Sequence, residues 1–270
     1  METSSLTRIV VYGAAGRMGR SILAASRAWP RIEVAAALVR ASSELVDRQV
    51  PELAGGGMAE PLFQARLDPE LGFDVLIDFS AGGAFDNALA LAVARGRAFV
   101  SGTTGLGPDQ RHHLRQAAQH IPVLWSANFS LGVALLQRLV REAARGLGPE
   151  FAVEIVEAHH RHKQDAPSGT AIALGQCVAD ARGQTFEEVA MLARTDLGGP
   201  RRSGEIGFSS LRGGDIVGEH SVWFIADGER IEISHRASSR ELFSRGALRA
   251  AEWIRGREPG LYTLEQVVAD

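Results

Sequence analysis

The stretch VVYGAAGRMGRS, residues 10–21, narrows the possible folds of this chain more than any other segment. An apolar, β-branched run stops at Gly13, and Gly16 and Gly19 follow at three-residue spacing. A pattern with helical periodicity then begins. Glycines at these places permit a tight strand-to-helix turn and let a pyrophosphate approach backbone N–H groups at a helix N-terminus. Taken alone, a G-x-x-G-x-x-G match is weak evidence and a plain glycine-rich turn competes with it; its position directly after a strand and before a helix strengthens it.

The rest of the first half supports that context. Residues 8–13, 34–39, 73–80, 98–102 and 122–127 are nearly continuous apolar runs closed by Gly, Ser or Asp, the pattern of strands buried on both faces. Helical patterns at 19–29 and 84–96 lie between them, so the strands form a parallel sheet with right-handed crossovers. Residues 52–61 read as a glycine-rich surface loop.

Beyond residue 150 the texture changes. A strand at 151–160 and an amphipathic helix at 170–183 precede three strands at 204–212, 215–226 and 230–237, the last two joined by the turn signal Asp227-Gly228. A closing helix is expected over 239–256, with Ser239 near its N-cap. The expected architecture is α/β, a Rossmann-like doubly wound parallel sheet plus a second α+β domain with a mostly antiparallel sheet. The expected boundaries are 1–130 for dinucleotide binding, with 240–270 packing back on it, and 131–239 for substrate binding and oligomerisation. A chain of 270 residues with 45% hydrophobic residues has ample core for both.

Composition excludes several function classes. The formal net charge is −3, with no basic run, so nothing marks a nucleic-acid or anionic-membrane partner. No apolar run reaches the roughly 18 residues of a membrane helix, and the N-terminal stretch lacks the basic and apolar regions of a signal peptide. The single cysteine, Cys177, rules out an internal disulfide and suits a reducing cytosol, so a cytoplasmic protein is expected.

The second strand ends at Leu38-Val39-Arg40. An NAD site usually carries Asp or Glu there, whereas an arginine accommodates a 2′-phosphate, so NADPH is favoured over NADH. A solvated arginine at a strand end remains the plain alternative. SGTTG (101–105) and SANFS (126–130) sit at strand carboxyl ends, where open α/β sheets hold their ligands. Either could also be an ordinary turn.

The densest chemistry lies in HHRHKQDAPSGTA, residues 159–171. Three of eight histidines fall within four residues, and Lys163 is the only lysine among 29 Lys+Arg. Three readings compete. As a metal site it is poor, because the adjacent His159 and His160 point to opposite faces of a strand and no paired ligand motif accompanies them; no metal is expected. A solvated basic turn is the second reading. The third, a site that holds and protonates an anionic substrate, explains more of the residues. Ser168 or its neighbour caps the helix that follows, so its first N–H groups and the Thr170 hydroxyl form a cradle for a carboxylate. Lysine, unlike arginine, can release its proton at accessible pH, and histidine is the usual general acid near neutrality. Hydride from a nicotinamide and a proton from this cluster together make a reductase.

These segments resemble one enzyme family. EAHHRHKQDAPSGTA, together with GAAGRMG, GTTG, ANFS, IGF, GDIVGEH and ASSR in that order, is similar to the 4-hydroxy-tetrahydrodipicolinate reductases (dihydrodipicolinate reductases) of bacterial lysine and diaminopimelate biosynthesis. The resemblance runs from residue 8 to about 270. It implies NADH- or NADPH-dependent reduction of a cyclic imine dicarboxylate, with loss of water, to tetrahydrodipicolinate. It also implies that His159 is the proton donor and Lys163 a second catalytic cation, with His160, Ser168, Gly169 and Thr170 as substrate contacts. Gly13, Ala14, Ala15, Gly16, Arg17 and Met18, then Gly102, Thr103 and Thr104, then Ser126, Ala127, Asn128 and Phe129, resemble cofactor contacts. Arg40 follows Val39 where the family often has an acidic residue. A homotetramer built through the second domain's sheet is implied by the resemblance alone. Two other classes stay open. A semialdehyde dehydrogenase would use Cys177 as nucleophile, and an NADP-sensing protein would keep the glycine loop without the cluster at 159–171.

Overall fold

The computed structural model describes residues 6–53, 61–194 and 200–270. The glycine-rich loop expected over 52–61 therefore falls largely outside the described residues, since 54–60 are not among them. The chain divides into two compact units. One runs up to Phe129 and takes in Glu241–Asp270; the other is Ser130–Arg240.

The first unit begins β1 (Thr7–Tyr12), α1 (Arg17–Ser26), β2 (Ile32–Leu38), β3 (Phe63–Gln64), β4 (Val75–Asp78) and α2 (Gly82–Ala94). It continues with β5 (Ala98–Ser101), α3 (Pro108–Ala117) and β6 (Pro122–Trp125). In the second unit follow α4 (Leu131–Leu147), β7 (Ala152–His159), α5 (Gly169–Ala181), α6 (Phe186–Val189), β8 (Ala190–Met191), β9 (Ile206–Arg212), β10 (Gly218–Ala226) and β11 (Glu229–Ala237). The chain then returns to the first unit with α7 (Glu241–Ile254), β12 (Gly260–Tyr262) and α8 (Leu264–Ala269).

The first sheet is parallel with strand order β12-β6-β5-β4-β1-β2-β3. Its order reverses direction beside β1, and a crevice outside the strand ends at such a switch point is where doubly wound sheets bind ligands. The continuous apolar runs exist because both faces are buried: Val10, Leu76, Phe99 and Val123 pack with Phe85 and Leu89 of α2 and Leu114 of α3, and the alternate residues Val11, Ile77, Val100 and Leu124 are fully buried on the other face. The glycine loop is dictated by sterics. Gly13 has φ +76°, a region side chains avoid, and a Cβ on Gly19 would stand 2.4 Å from the Gly13 carbonyl oxygen.

The second sheet has order β11-β10-β7-β9-β8. β10 and β11 form an antiparallel hairpin turned at Gly228 (φ +86°), β10 also pairs antiparallel with β7, β9 pairs parallel with β7, and β8 parallel with β9. One face is covered by α4 and α5, whose Leu136, Val140, Leu174 and Val178 meet Val153, Ile155, Val222 and Phe224. Two serines start these helices: Ser130 Oγ accepts from Val133 N–H, and Ser168 Oγ from Ala171 N–H. Period-2 alternation along β7 places Val153, Ile155, Glu157 and His159 on the buried face. That parity carries a carboxylate and an imidazole inward at the strand's carboxyl end.

Candidate active site

In the first unit, two cavities flank the glycine loop. One, of about 460 Å3, is lined by Gly13, Ala15, Gly16, Val39, Arg40 and Ser43, with Tyr12 and the 79–81 turn opposite. The other, of about 470 Å3, is lined by Arg17, Met18, Gly102, Thr104 and Ala127 to Phe129, with Phe79, Ser80 and Phe243. The structure thus brings together three separate motifs, the glycine loop, GTTG and ANFS. Of the expected cofactor residues, Ala14, Thr103 and Ser126 line neither cavity. Ala14 is buried and its N–H bonds to the Leu38 carbonyl at 2.9 Å. Ser126 Oγ closes a turn onto the Asn128 carbonyl at 2.7 Å.

Thr103 leads to a residue the sequence reading missed. Its Oγ1 donates to Asp78 Oδ2 at 2.7 Å, Ser101 Oγ donates to the same oxygen at 2.8 Å, and Ser80 N–H donates to Oδ1 at 3.0 Å. Asp78 is fully buried at the end of β4 and ties the 79–81 turn to the GTTG loop beside the switch point. Its signal in the sequence is a charged residue closing an otherwise apolar buried strand.

In the second unit, the carboxyl ends of β7 and β9 and the start of α5 converge. His159 is largely buried and its Nδ1 lies 2.6 Å from Glu157 Oε2. Glu157, 1% exposed, is gripped bidentately by Arg212, with Nη2 2.7 Å from Oε1 and Nη1 2.9 Å from Oε2. Its Oε1 also accepts from Ser168 N–H at 3.2 Å. Burial alone would push Glu157 up, but hydrogen bonds from Arg212, Ser210 and His159 overcome it and bring its pKa down to about 2. Burial pushes His159 down, and Glu157 opposes that shift. His220, beneath the site on β10, is pushed down to about 4 by burial, with the neighbouring His159 adding to the effect.

The expected substrate residues are arranged as follows. Lys163 follows a turn closed by its N–H to the His160 carbonyl, and its Nζ is 2.9 Å from Asp165 Oδ1. Asp165 also receives the Gly169 N–H, so this carboxylate sits on the lysine and the helix start together. His160 lies just past the end of β7, and its Nε2 accepts from Arg240 at 3.3 Å. Ser168 is fully engaged: its N–H donates to Glu157, and its Oγ accepts from Ala171 N–H and lies 3.0 Å from His220 Nε2. It therefore shapes the helix start rather than offering a hydroxyl to a ligand. Gly169 and Thr170 form the first turn of α5. Glu157, Arg212 and His220 were missed by the sequence reading, because their partners lie 55 and 52 residues away along the chain.

Cys177 is buried in the second unit's core with Leu174 and Val178, which does not fit an attacking thiolate. Among the described residues, no group of three His, Cys, Asp or Glu is placed to hold a metal ion, and no helix is long and apolar enough to cross a membrane.

Comparison with known proteins agrees with this geometry. Residues 7–129 match the family model described as dihydrodipicolinate reductase, N-terminus, and residues 132–268 match its C-terminus. The chain is 45% identical over 267 residues to a 4-hydroxy-tetrahydrodipicolinate reductase of Anaeromyxobacter dehalogenans strain 2CP-C, covering 97% of this chain and 98% of that one. It is 45% identical over 265 residues to the enzyme of that name from Pseudomonas fluorescens strain Pf-5, covering 97% and 99%. Among solved structures, a dipicolinate-bound dihydrodipicolinate reductase from Paenisporosarcina sp. TG-14 shares the fold, with a TM-score of 0.75 at 22% identity over 97% of this chain and 99% of that one. A scyllo-inositol dehydrogenase from Lactobacillus casei, solved with NAD(H), is a looser likeness in fold, with a TM-score of 0.56 at 14% identity over 93% and 88%. With both family models matched end to end, and a nicotinamide-dinucleotide fold in its first unit, this chain is an oxidoreductase that belongs to the dihydrodipicolinate reductase family.

Proposed function

We propose that this chain reduces 4-hydroxy-tetrahydrodipicolinate to tetrahydrodipicolinate, with loss of water, using NADPH in preference to NADH and His159 as proton donor. The observation that carries the reading is the pairing of a buried, carboxylate-backed His159 with Lys163 at the start of α5. That arrangement suits protonation of a bound dianion and has no evident use in a protein that only senses cofactor.

The first unit fits a dinucleotide on its own terms. Its glycine loop makes a tight strand-to-helix turn in which added side chains would meet backbone, and Arg40 and Arg17 each line one of the two cavities beside it. Gly13 to Met18 would hold the pyrophosphate, Gly102 to Thr104 and Ala127 to Phe129 the nicotinamide half, and Arg40 with Ser43 the adenosine end. Among the described residues no acidic side chain lines the Arg40 cavity, which supports a 2′-phosphate there. When bound, the dinucleotide supplies a hydride to the substrate ring. In the second unit, Lys163, Gly169 and Thr170 hold a substrate carboxylate in the place where Asp165 now sits, and His160 contacts the ring's other polar edge. His159 delivers the proton that completes the reduction. Lys163 neutralises the dianion and serves as the second catalytic cation. A homotetramer assembled through the second sheet is part of this reading by resemblance to the family alone.

The test is oxidation of NADPH by the purified chain with and without the cyclic substrate. Substrate-dependent turnover supports the reading; cofactor binding without turnover favours a sensing role.

A further inference from the structure

Glu157 has no part in the reading above, yet its carboxylate receives two hydrogen bonds from Arg212 and one each from His159 Nδ1, Ser168 N–H and the Ser210 side chain. A guanidinium stays protonated, so a carboxylate gripped bidentately by one is an acceptor only. The hydrogen in the 2.6 Å contact with His159 therefore belongs to Nδ1, in both the neutral and the cationic ring. The transferable proton must then sit on Nε2. That atom faces Gly218 of β10, where a Cβ would stand only 3.1 Å away, so the absent side chain leaves it room.

We propose that Glu157, clamped by Arg212, is a positioning residue of the reaction: it fixes the tautomer and ring plane of His159 so that Nε2 delivers the proton, and through Ser168 N–H it holds the start of α5 in the same frame. This rests on His159 being the donor. The logic is that of a carboxylate orienting a catalytic imidazole and stabilising its cation. The strand register makes it possible, because pairing of β7 with β9 sets His159 opposite Arg212 and Glu157 opposite Ser210. Arg212 reaches further, donating to the Asp165 carbonyl at 2.6 Å, so one guanidinium braces both Glu157 and the loop that carries Lys163.

The groups facing His159 give the proposal a distinctive pH signature. Glu157 comes from its own strand, Arg212 from β9, Lys163 from the following loop, and His220 from β10 with its ring edge-on at 5.2 Å. Among these, Glu157 alone favours the imidazolium, while Lys163 and Arg212 oppose it. In Glu157→Gln the acceptor oxygen and the shape remain but the charge is gone. Of the charged groups acting on the cation, only the positive Lys163 and Arg212 then remain, and the alkaline limb of kcat, where a histidine acid loses its proton, must move to lower pH.

The experiment compares kcat, KM and pH profiles of wild type, Glu157→Gln and His159→Gln, with cofactor affinity measured by fluorescence titration. For Glu157→Gln we expect kcat to fall roughly 30- to 1000-fold, the range for disturbing a general acid. Its alkaline limb should shift downward by about one pH unit, with cofactor affinity unchanged. Wild-type kcat in Glu157→Gln overturns the proposal, as does a reduced kcat with an unmoved limb, which marks a merely structural role. If His159→Gln itself turns over normally, the donor assignment fails; if His159→Gln is impaired and Glu157→Gln is not, only the positioning role fails. A measurement on wild type settles the case in which Glu157→Gln does not fold. In 15N-histidine spectra, the signal absent from His159→Gln should show a protonated Nδ1 and a bare Nε2 above its titration. A bare Nδ1 overturns the proposal.

Discussion

Replacing His220 with glutamine should flatten the acid sensitivity of the second unit. His220 is 4% exposed, and its Nδ1 finds no hydrogen-bond partner among the described residues, so a second ring proton would be buried and unsatisfied. Burial accordingly pushes its pKa from 6.5 down to about 4. A folded pKa below the unfolded one means that, between those values, the unfolded chain binds a proton that the folded chain refuses. Stability is then intact above about pH 6.5 and is lost as pH falls towards 4. At about 1.4 kcal/mol per pKa unit, the whole window is worth about 3 kcal/mol, and about 2 kcal/mol of it is gone by pH 5. His159, also pushed down, adds in the same direction. Glu157 does so only lower, as pH falls from 4.5 towards about 2. Glutamine keeps a polar group for Ser168 Oγ but does not titrate. The assay is amide hydrogen exchange of β7 and β10 peptides at pH 7.5, 6 and 5, corrected for intrinsic rates, which reads the second unit apart from the first. Wild type should lose at least about 2 kcal/mol more than His220→Gln between pH 7.5 and 5. Equal losses would refute the assignment of this acid sensitivity to His220.

Three further outcomes follow from the same contacts. Lys163→Arg should lower kcat by at least about 100-fold while cofactor titration stays normal, because a guanidinium neither gives up a proton nor fits a compact point-charge site; near-normal turnover would contradict the role given to the lone lysine. Arg40→Ala should cost NADPH roughly 10- to 100-fold in kcat/KM, as expected for one charge-assisted hydrogen bond, and leave NADH unaffected; equal losses with both cofactors would move the 2′-phosphate elsewhere. Asp78→Asn turns one acceptor towards a hydroxyl as a donor, so thermal unfolding and cofactor titration should show a loss of about 1–3 kcal/mol in stability and weaker binding; unchanged values would mean that the clamp on the GTTG loop is idle.

Much of the fold was legible because it rests on local patterns. The run from Val10 to Gly19, the uniformly apolar strands and the Asp227-Gly228 turn each state their conformation within a dozen residues, and the structure has them within a few residues of where they were expected. α3 is not legible in PDQRHHLRQA, which shows little apolar periodicity; it buries only Leu114 and Ala117 and is otherwise tied by Gln110 and His113 to Gly82 and Asp86 of α2. β12, three residues long, exists only because β6 offers it an edge. The site divides in the same way. His159, Lys163 and Thr170 stand out as a compact, chemically unusual string. Glu157 lies in the same strand but reads as an ordinary acidic residue until Arg212 is brought beside it by a strand pairing that spans 55 residues. Ser168 was expected to contact substrate, and only the folded chain shows both its donor and its oxygen engaged within the protein.

The most direct test of the central claim is a stoichiometric one. Wild type and His159→Gln are each given NADPH and 4-hydroxy-tetrahydrodipicolinate, and cofactor oxidised is compared with tetrahydrodipicolinate formed. Wild type should form one product for each NADPH consumed. His159→Gln should bind NADPH normally and turn over at least about 100-fold more slowly. Substrate-independent oxidation by wild type, or an undiminished rate in His159→Gln, would contradict the account.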